Sequence, residues 1–279
     1  MRIHVAHSPD SDDAFMFYAL ANGLVDTDGF EYVHELQDIE SLNRRALKGE
    51  LEVSAVSIHA YAYLADRYAL LSSGASMGDR YGPRLVARSS MSRDDVRGKR
   101  VAIPGLLTSA YLALRLYQPE FEPVVTPFDQ VEDAVERGDV DLALVIHEGQ
   151  LTYSTRGLRL VADLGEWWHG ETGLPLPLGG NVVRRDLGDR NVRLISRHLR
   201  DSIKYSLSHR DGALDHAMRY ARGLEREKAD EFVGMYVNDW TVDYGAAGRE
   251  AVRLFLKRGA DCGVIPKLVV PEFVAPETA

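Results

Sequence analysis

The chain has 279 residues, 45% of them apolar, enough for one large globular domain or two of ordinary size. Its formal charge of -9 argues against a nucleic-acid partner, which would favour a basic face, and its single cysteine, Cys262, excludes an internal disulfide and any cysteine-rich metal site. No basic segment followed by an apolar one opens the chain and no apolar run is long enough to span a bilayer, so a cytoplasmic protein without membrane contact is expected.

Arg2 to Ala6 alternates like a short strand and leads into the loop Ser8-Pro9-Asp10-Ser11-Asp12-Asp13. Ala14 to Ala21 reads as a helix, with Ser11, Asp12 or Asp13 available to cap it. Phe30 to Leu36 is a second strand. Ile39 to Lys48 is an amphipathic helix with Ile39, Leu42 and Ala46 on one face, and Leu51 to Val56 is a third strand ending at Ser57. This β-α-β-α-β order favours a mainly parallel sheet with helices on its faces. Tyr68 to Ser73 and Arg84 to Arg88 are further strands, and the polar segment Ser89 to Asp95 breaks the apolar periodicity.

A second series follows: strands at Arg100 to Ile103, Pro123 to Thr126, Asp141 to Ile146 and Leu158 to Asp163, with helices at Leu107 to Tyr117 and Phe128 to Arg137. A loop at Leu174 to Gly180 leads into Asn181 to Arg185, and helices dominate from Asp189 to Lys257. The pattern predicts two α/β lobes. One comprises residues 1–88 and 186–279, the other is inserted as 89–185, and the cleft between them is the expected ligand site.

Several residue groups carry chemistry. The apolar run Asp141-Leu-Ala-Leu-Val-Ile ends in His147-Glu148, and a histidine delivered to a strand's carboxyl end is a candidate base; the plainer reading is that it bonds a nearby carbonyl. Asp10, Asp12 and Asp13 either cap the first helix or bind a hydroxyl or cation, although their spacing matches no standard cation loop. Ser57 is a candidate helix cap at a strand end. Gly105 to Tyr111, with Thr108 and Ser109, forms a candidate anion cradle at a helix N-terminus, without the ending of a phosphate-binding P-loop. Trp167, Trp168 and His169 either wall a ligand or pack between lobes, and Cys262 is a bystander thiol.

Taken in order, Ser8-Pro9 with Asp13 to Leu20, Asp38 to Leu47, Gly105 to Tyr111, Ile146-His147-Glu148 and Gly173 to Gly179 resemble the 1,4-dihydroxy-6-naphthoate synthase family of the futalosine route to menaquinone. The resemblance spans nearly the whole chain. It implies the two-lobed α/β fold of type II periplasmic solute-binding proteins, used as a lyase that converts cyclic dehypoxanthine futalosine to 1,4-dihydroxy-6-naphthoate. It implies His147 as proton acceptor, with Ala55, Val56, Ser57, Ser109 and Ala110 as substrate-binding positions and Thr108 beside them. The scheme uses no cofactor and no metal, and its partner is a small-molecule substrate. The chain departs from the family where many members read Ser-Pro-Cys-Pro-Asn-Asp, which leaves Asp10 and Asp12 without a carried-over role. The alternatives are a non-catalytic solute-binding protein of the same architecture and the sibling chorismate dehydratase.

Overall fold

In the computed structural model, which describes residues 1–221 and 224–277, the chain forms two sheets. It first lays down β1 (Arg2–His7), β2 (Glu31–Leu36), β3 (Val53–Ser57), β4 (Tyr68–Leu71) and β5 (Ser76–Gly78). It then crosses over and builds the second sheet from β6 (Arg84–Ala87), β7 (Arg100–Ile103), β8 (Glu122–Val125), β9 (Leu142–Val145) and β10 (Arg159–Asp163). It returns with β11 (Leu176–Arg184) and, near the end, β12 (Phe273–Val274). The first sheet has the order β12-β4-β11-β3-β1-β2, with β5 on β11, and the second β10-β6-β9-β7-β8.

The first sheet is mixed. β1 is parallel to β2 and β3, as the β-α-β-α-β pattern requires, but β11 inserts antiparallel between β3 and β4. The expected loop at 174–180 is largely strand, since backbone pairing of Leu176–Gly180 with β3 and β5 overrides the turn preference of Pro177, Gly179 and Gly180. The register shift beside Pro177 accommodates the missing amide hydrogen.

The expected lobe boundaries also move. Arg84–Ala87 is a strand, as expected, but it lies inside the second sheet, paired on one side to β9 and on the other to β10. Residues 181–184 continue the longest strand of the first sheet, which ends at Arg184. The chain passes from one sheet to the other between β5 and β6 and back between β10 and β11. The polar segment 89–95 misled because its polarity reflects solvent exposure within one lobe.

Other elements sit close to their expected places. The first helix starts earlier, at Ser11, and breaks at Phe17 into Ser11–Met16 and Tyr18–Ala21. The helical tail contains Asp189–Ser208, Arg210–Ala217, Arg226–Tyr236, Asp239–Val242 and Gly245–Asp261. One apolar core runs through both lobes, joining Val56, Leu70 and Val182 to Val101, Ile103, Leu142 and Leu144, with Trp168 and Phe255 fully buried beside them. Among the described residues no helix is long and apolar enough to cross a membrane.

The two crossings touch. Leu164 N–H donates to the Pro83 carbonyl, and a Cβ placed on Gly165 would lie 1.8 Å from the Tyr81 carbonyl oxygen. Two backbones can approach that closely only where a side chain is missing. Gly170, in the same helix (Leu164–Thr172), has open space where a Cβ would go. Gly165→Ala is therefore expected to lower the melting temperature by several degrees, while Gly170→Ala raises it by roughly 2 °C through helix propensity. Thermal melts of the two variants check this; equal melting temperatures would contradict it.

Candidate functional site

The carboxyl ends of β1, β3 and β9 meet the N-terminus of the helix Ser109–Tyr117 around a cavity of about 120 Å³ between the lobes. The first lobe contributes Ser8, Asp10, Asp12, Asp13, Ala55, Val56 and Ser57 to its walls. The second contributes Thr108, Ser109, Ala110 and Ile146. Strand ends leave backbone groups unpaired by the ladder, which is why ligands gather there in open α/β sheets.

The acidic loop is organised from within. Asp13 Oδ2 accepts the Ser8 amide at 2.7 Å, and the Ser8 hydroxyl donates to Asp10 at 3.0 Å. Asp10 stands at the N-cap position, yet its side chain makes no cap bond to the helix, so plain capping does not account for it. Burial raises the Asp13 carboxyl to about 6 against the opposing pull of the Ser8 amide. Asp12 is pushed well above the usual carboxylate range, by burial first and then by the Asp13, Asp10 and Glu148 carboxylates. Glu148 reaches this cluster from the second lobe and accepts from the Ser11 hydroxyl at 3.3 Å.

Ser57 is fixed by Asn43, which is fully buried: its amide bonds Asn43 Oδ1 at 2.9 Å and its hydroxyl accepts from Asn43 Nδ2 at 3.1 Å. The Ser57 side chain makes no helix cap. Thr108 caps the helix Ser109–Tyr117, accepting the Tyr111 amide at 3.1 Å. The Ser109 hydroxyl is spent on joining the lobes: it accepts the His59 amide and donates to the Leu178 carbonyl. The cradle therefore offers backbone donors rather than hydroxyls. The amides of Ser109 and Ala110 precede the helical ladder and belong to residues that line the cavity.

His147 departs from its expected position. It is 9% exposed and does not line the cavity. Its Nδ1 accepts the Gly149 amide at 2.9 Å, which leaves the proton on Nε2, and Nε2 donates to the Phe128 carbonyl at 2.9 Å. The ring stands edge-on to Phe128. β9 ends at Val145; beyond it Ile146 reaches the cavity, His147 turns behind it and Glu148 meets Ser11.

Trp167, Trp168 and His169 lie in the helix Leu164–Thr172, and none lines the cavity. Trp168 donates to the Pro175 carbonyl and packs against Phe255, which is the packing role. Cys262 is exposed at a helix end. Among the described residues no group of three His, Cys, Asp or Glu has an arrangement for a metal. Sequence reasoning passed over Gly74, Asn181, Phe232 and Tyr236, which also line the cavity. The signal for Asn181 was present: one amide between Gly180 and Val182 in an apolar strand.

A family profile described as menaquinone biosynthesis matches residues 3–261. The chain is 42% identical to a protein of Thermus thermophilus named 1,4-dihydroxy-6-naphthoate synthase, over 92% of this chain and 94% of that one. It is 37% identical to a Streptomyces coelicolor protein of the same name, over 95% of each. A crystal structure of an Archaeoglobus fulgidus protein superposes with a TM-score of 0.91 at 48% identity, covering 95% of this chain and 98% of that one. An alkanesulfonate-binding protein from Xanthomonas axonopodis shares the fold at 13% identity, with a TM-score of 0.73 over 96% of each chain.

The Asp12 environment fixes the sign of a pH effect. A carboxyl whose pKa is raised by folding binds its proton more tightly in the folded chain, so its contribution to stability falls as pH rises from the acid range towards neutral. Asp12→Asn, neutral at every pH, should raise the melting temperature at pH 8 and change it little near pH 4. Thermal melts at both values check this; a lower melting temperature at pH 8 would contradict it.

Proposed function

The chain belongs to the menaquinone-biosynthesis family, and from that premise we propose that it converts cyclic dehypoxanthine futalosine to 1,4-dihydroxy-6-naphthoate. It is an enzyme, a lyase, so the non-catalytic solute-binding alternative is set aside. The observation that carries the reading is that Ala55, Val56 and Ser57 share one interlobe cavity with Thr108, Ser109 and Ala110, although about fifty residues separate the two groups in the chain. The substrate is a small molecule held between the lobes, no nucleic acid or membrane takes part, and the enzyme works in the cytoplasm.

In this scheme a proton leaves a substrate hydroxyl, a carbon–carbon bond then breaks, and the new ring becomes aromatic, which supplies much of the driving force. The amides of Ser109 and Ala110 stabilise an anionic oxygen. Closure of the lobes excludes water and fixes orientation. His147 is the proposed base. Its lone pair is engaged by the Gly149 amide, so it acts only after the ring turns towards the cavity and releases both backbone partners. A second reading gives the proton to Asp12 or Asp13, favoured by their position in the cavity wall and their raised pKa values.

Incubating the purified chain with cyclic dehypoxanthine futalosine and following the naphthoate by mass tests the function; no product rejects it. His147→Ala should lower turnover about 100-fold or more while leaving the chain folded, with a melting temperature lowered by a few degrees through loss of the Gly149 and Phe128 bonds. Near-normal turnover in that variant, with loss in Asp12→Asn or Asp13→Asn, moves the proton to the carboxylates.

A further inference from the structure

Asn181 is 1% exposed, lies in β11 among apolar neighbours and lines the cavity. Its Nδ2 donates to the Gly74 carbonyl at 3.0 Å and points at the Met16 sulfur at 3.5 Å. A backbone carbonyl only accepts, so this contact settles the amide's orientation: nitrogen towards Gly74, oxygen away from it. Oδ1 has no hydrogen-bond partner. Gly74 makes the arrangement feasible. It adopts a φ of +85°, and a Cβ there would lie 2.4 Å from Asn181 Nδ2.

Leaving a buried acceptor unmade is unfavourable, and an apolar side chain in its place would carry no such penalty. The neighbouring strand supplies the complement. Asn181 pairs with Ala55, and Ser57 pairs with Gly179, so Asn181 and Ser57 are diagonal neighbours on the same face of the sheet. The Ser57 hydroxyl already accepts from Asn43 Nδ2, and Asn43 Oδ1 holds the Ser57 amide. Asn43 takes one of the hydroxyl's two lone pairs, and the hydroxyl's own proton is given to no group among the described residues and remains to be offered.

We infer that Asn181 Oδ1 and the Ser57 hydroxyl together hold one hydroxyl group of the substrate, which makes Asn181 a specificity-determining residue for a polyhydroxylated ring. A hydroxyl both donates and accepts, so it satisfies the pair. A carboxylate would face the Asn181 oxygen with a second acceptor, and an ammonium group would leave the Ser57 proton unused. Asn43 acts through Ser57 and is a positioning residue. This inference rests on the functional reading above, from which the hydroxylated substrate comes.

The test is a double-mutant cycle on the full chain with cyclic dehypoxanthine futalosine. Asn181→Ala and Ser57→Ala should each raise KM roughly 10- to 100-fold with kcat changed much less, because each removes one bond to the same hydroxyl. The double variant should lose little more than either single one. A purely structural Asn181 would lower the melting temperature without this split between KM and kcat. If Asn181→Ala fails to fold, Ser57→Ala, a one-atom deletion, still decides: an unchanged KM overturns the pair. Unchanged KM in Asn181→Ala, or fully additive losses in the double variant, overturns the inference while wild-type turnover keeps the functional reading intact. A wild-type chain that neither binds nor turns over the futalosine derivative overturns both.

Discussion

Apolar contact between the lobes is the constraint from which the rest of the molecule follows. Side chains of both sheets share one core, closed by Trp168 and by Phe255 from the helix Gly245–Asp261. Burying such surface is the main favourable term in folding, and here it holds two sheets with their carboxyl edges facing one another. Specific polar contacts then set the register across the gap. The Ser109 hydroxyl links the His59 amide to the Leu178 carbonyl, the Leu107 amide meets Glu40, and Ser11 meets Glu148. The cavity exists because these ties are made around it and not through it.

That geometry explains the electrostatic character of the site. The helix Ser11–Met16 after β1 packs on the helical tail of its own lobe and meets Glu148 of the second, so Asp12 and Asp13 lose water and sit among other carboxylates at once, and both effects favour the protonated form. Opposite them lies a helix N-terminus where Thr108 caps the Tyr111 amide and the Ser109 and Ala110 amides precede the helical ladder, a surface suited to negative charge. The cavity thus sets proton-holding groups on one wall against anion-stabilising groups on the other. Buried histidines nearby do the reverse of switching. Burial lowers His7 to about 3, and it stacks on Phe17, while His59 is lowered to about 4 and bonds the Thr108 carbonyl. Both stay neutral near physiological pH and serve as packing and orientation.

Much of this was legible in the sequence, for identifiable reasons. Strands such as Arg2–His7 and Val53–Ser57 and the amphipathic helix Ile39–Lys48 announce themselves by periodicity, since one face is buried and the other is not. Ser57, Thr108 and the acidic loop were found because strand ends and helix starts have recognisable residues. What escaped depends on partners distant in the chain. β11 reads as a proline- and glycine-rich loop until β3 and β5 pair with it. The lobe boundary near Arg84 is invisible because a strand does not declare which sheet it will join. His147 follows the expected strand, which ends at Val145, and the turn into the helix Gly149–Thr152 sends its ring behind the cavity wall, as only the Gly149 and Phe128 backbone bonds reveal. Asn181 shows the opposite case: its amide stands out beside apolar Val182 and Val183, yet its meaning comes from the side-chain oxygen left without a partner.

The proposed function requires the substrate to bind in the interlobe cavity. A crystal structure of the wild-type chain soaked with cyclic dehypoxanthine futalosine addresses it directly. Density spanning Ser57 and Asn181 on one side and the Ser109 and Ala110 amides on the other is the predicted result; a substrate bound elsewhere on the molecule, with this cavity unfilled, would contradict it.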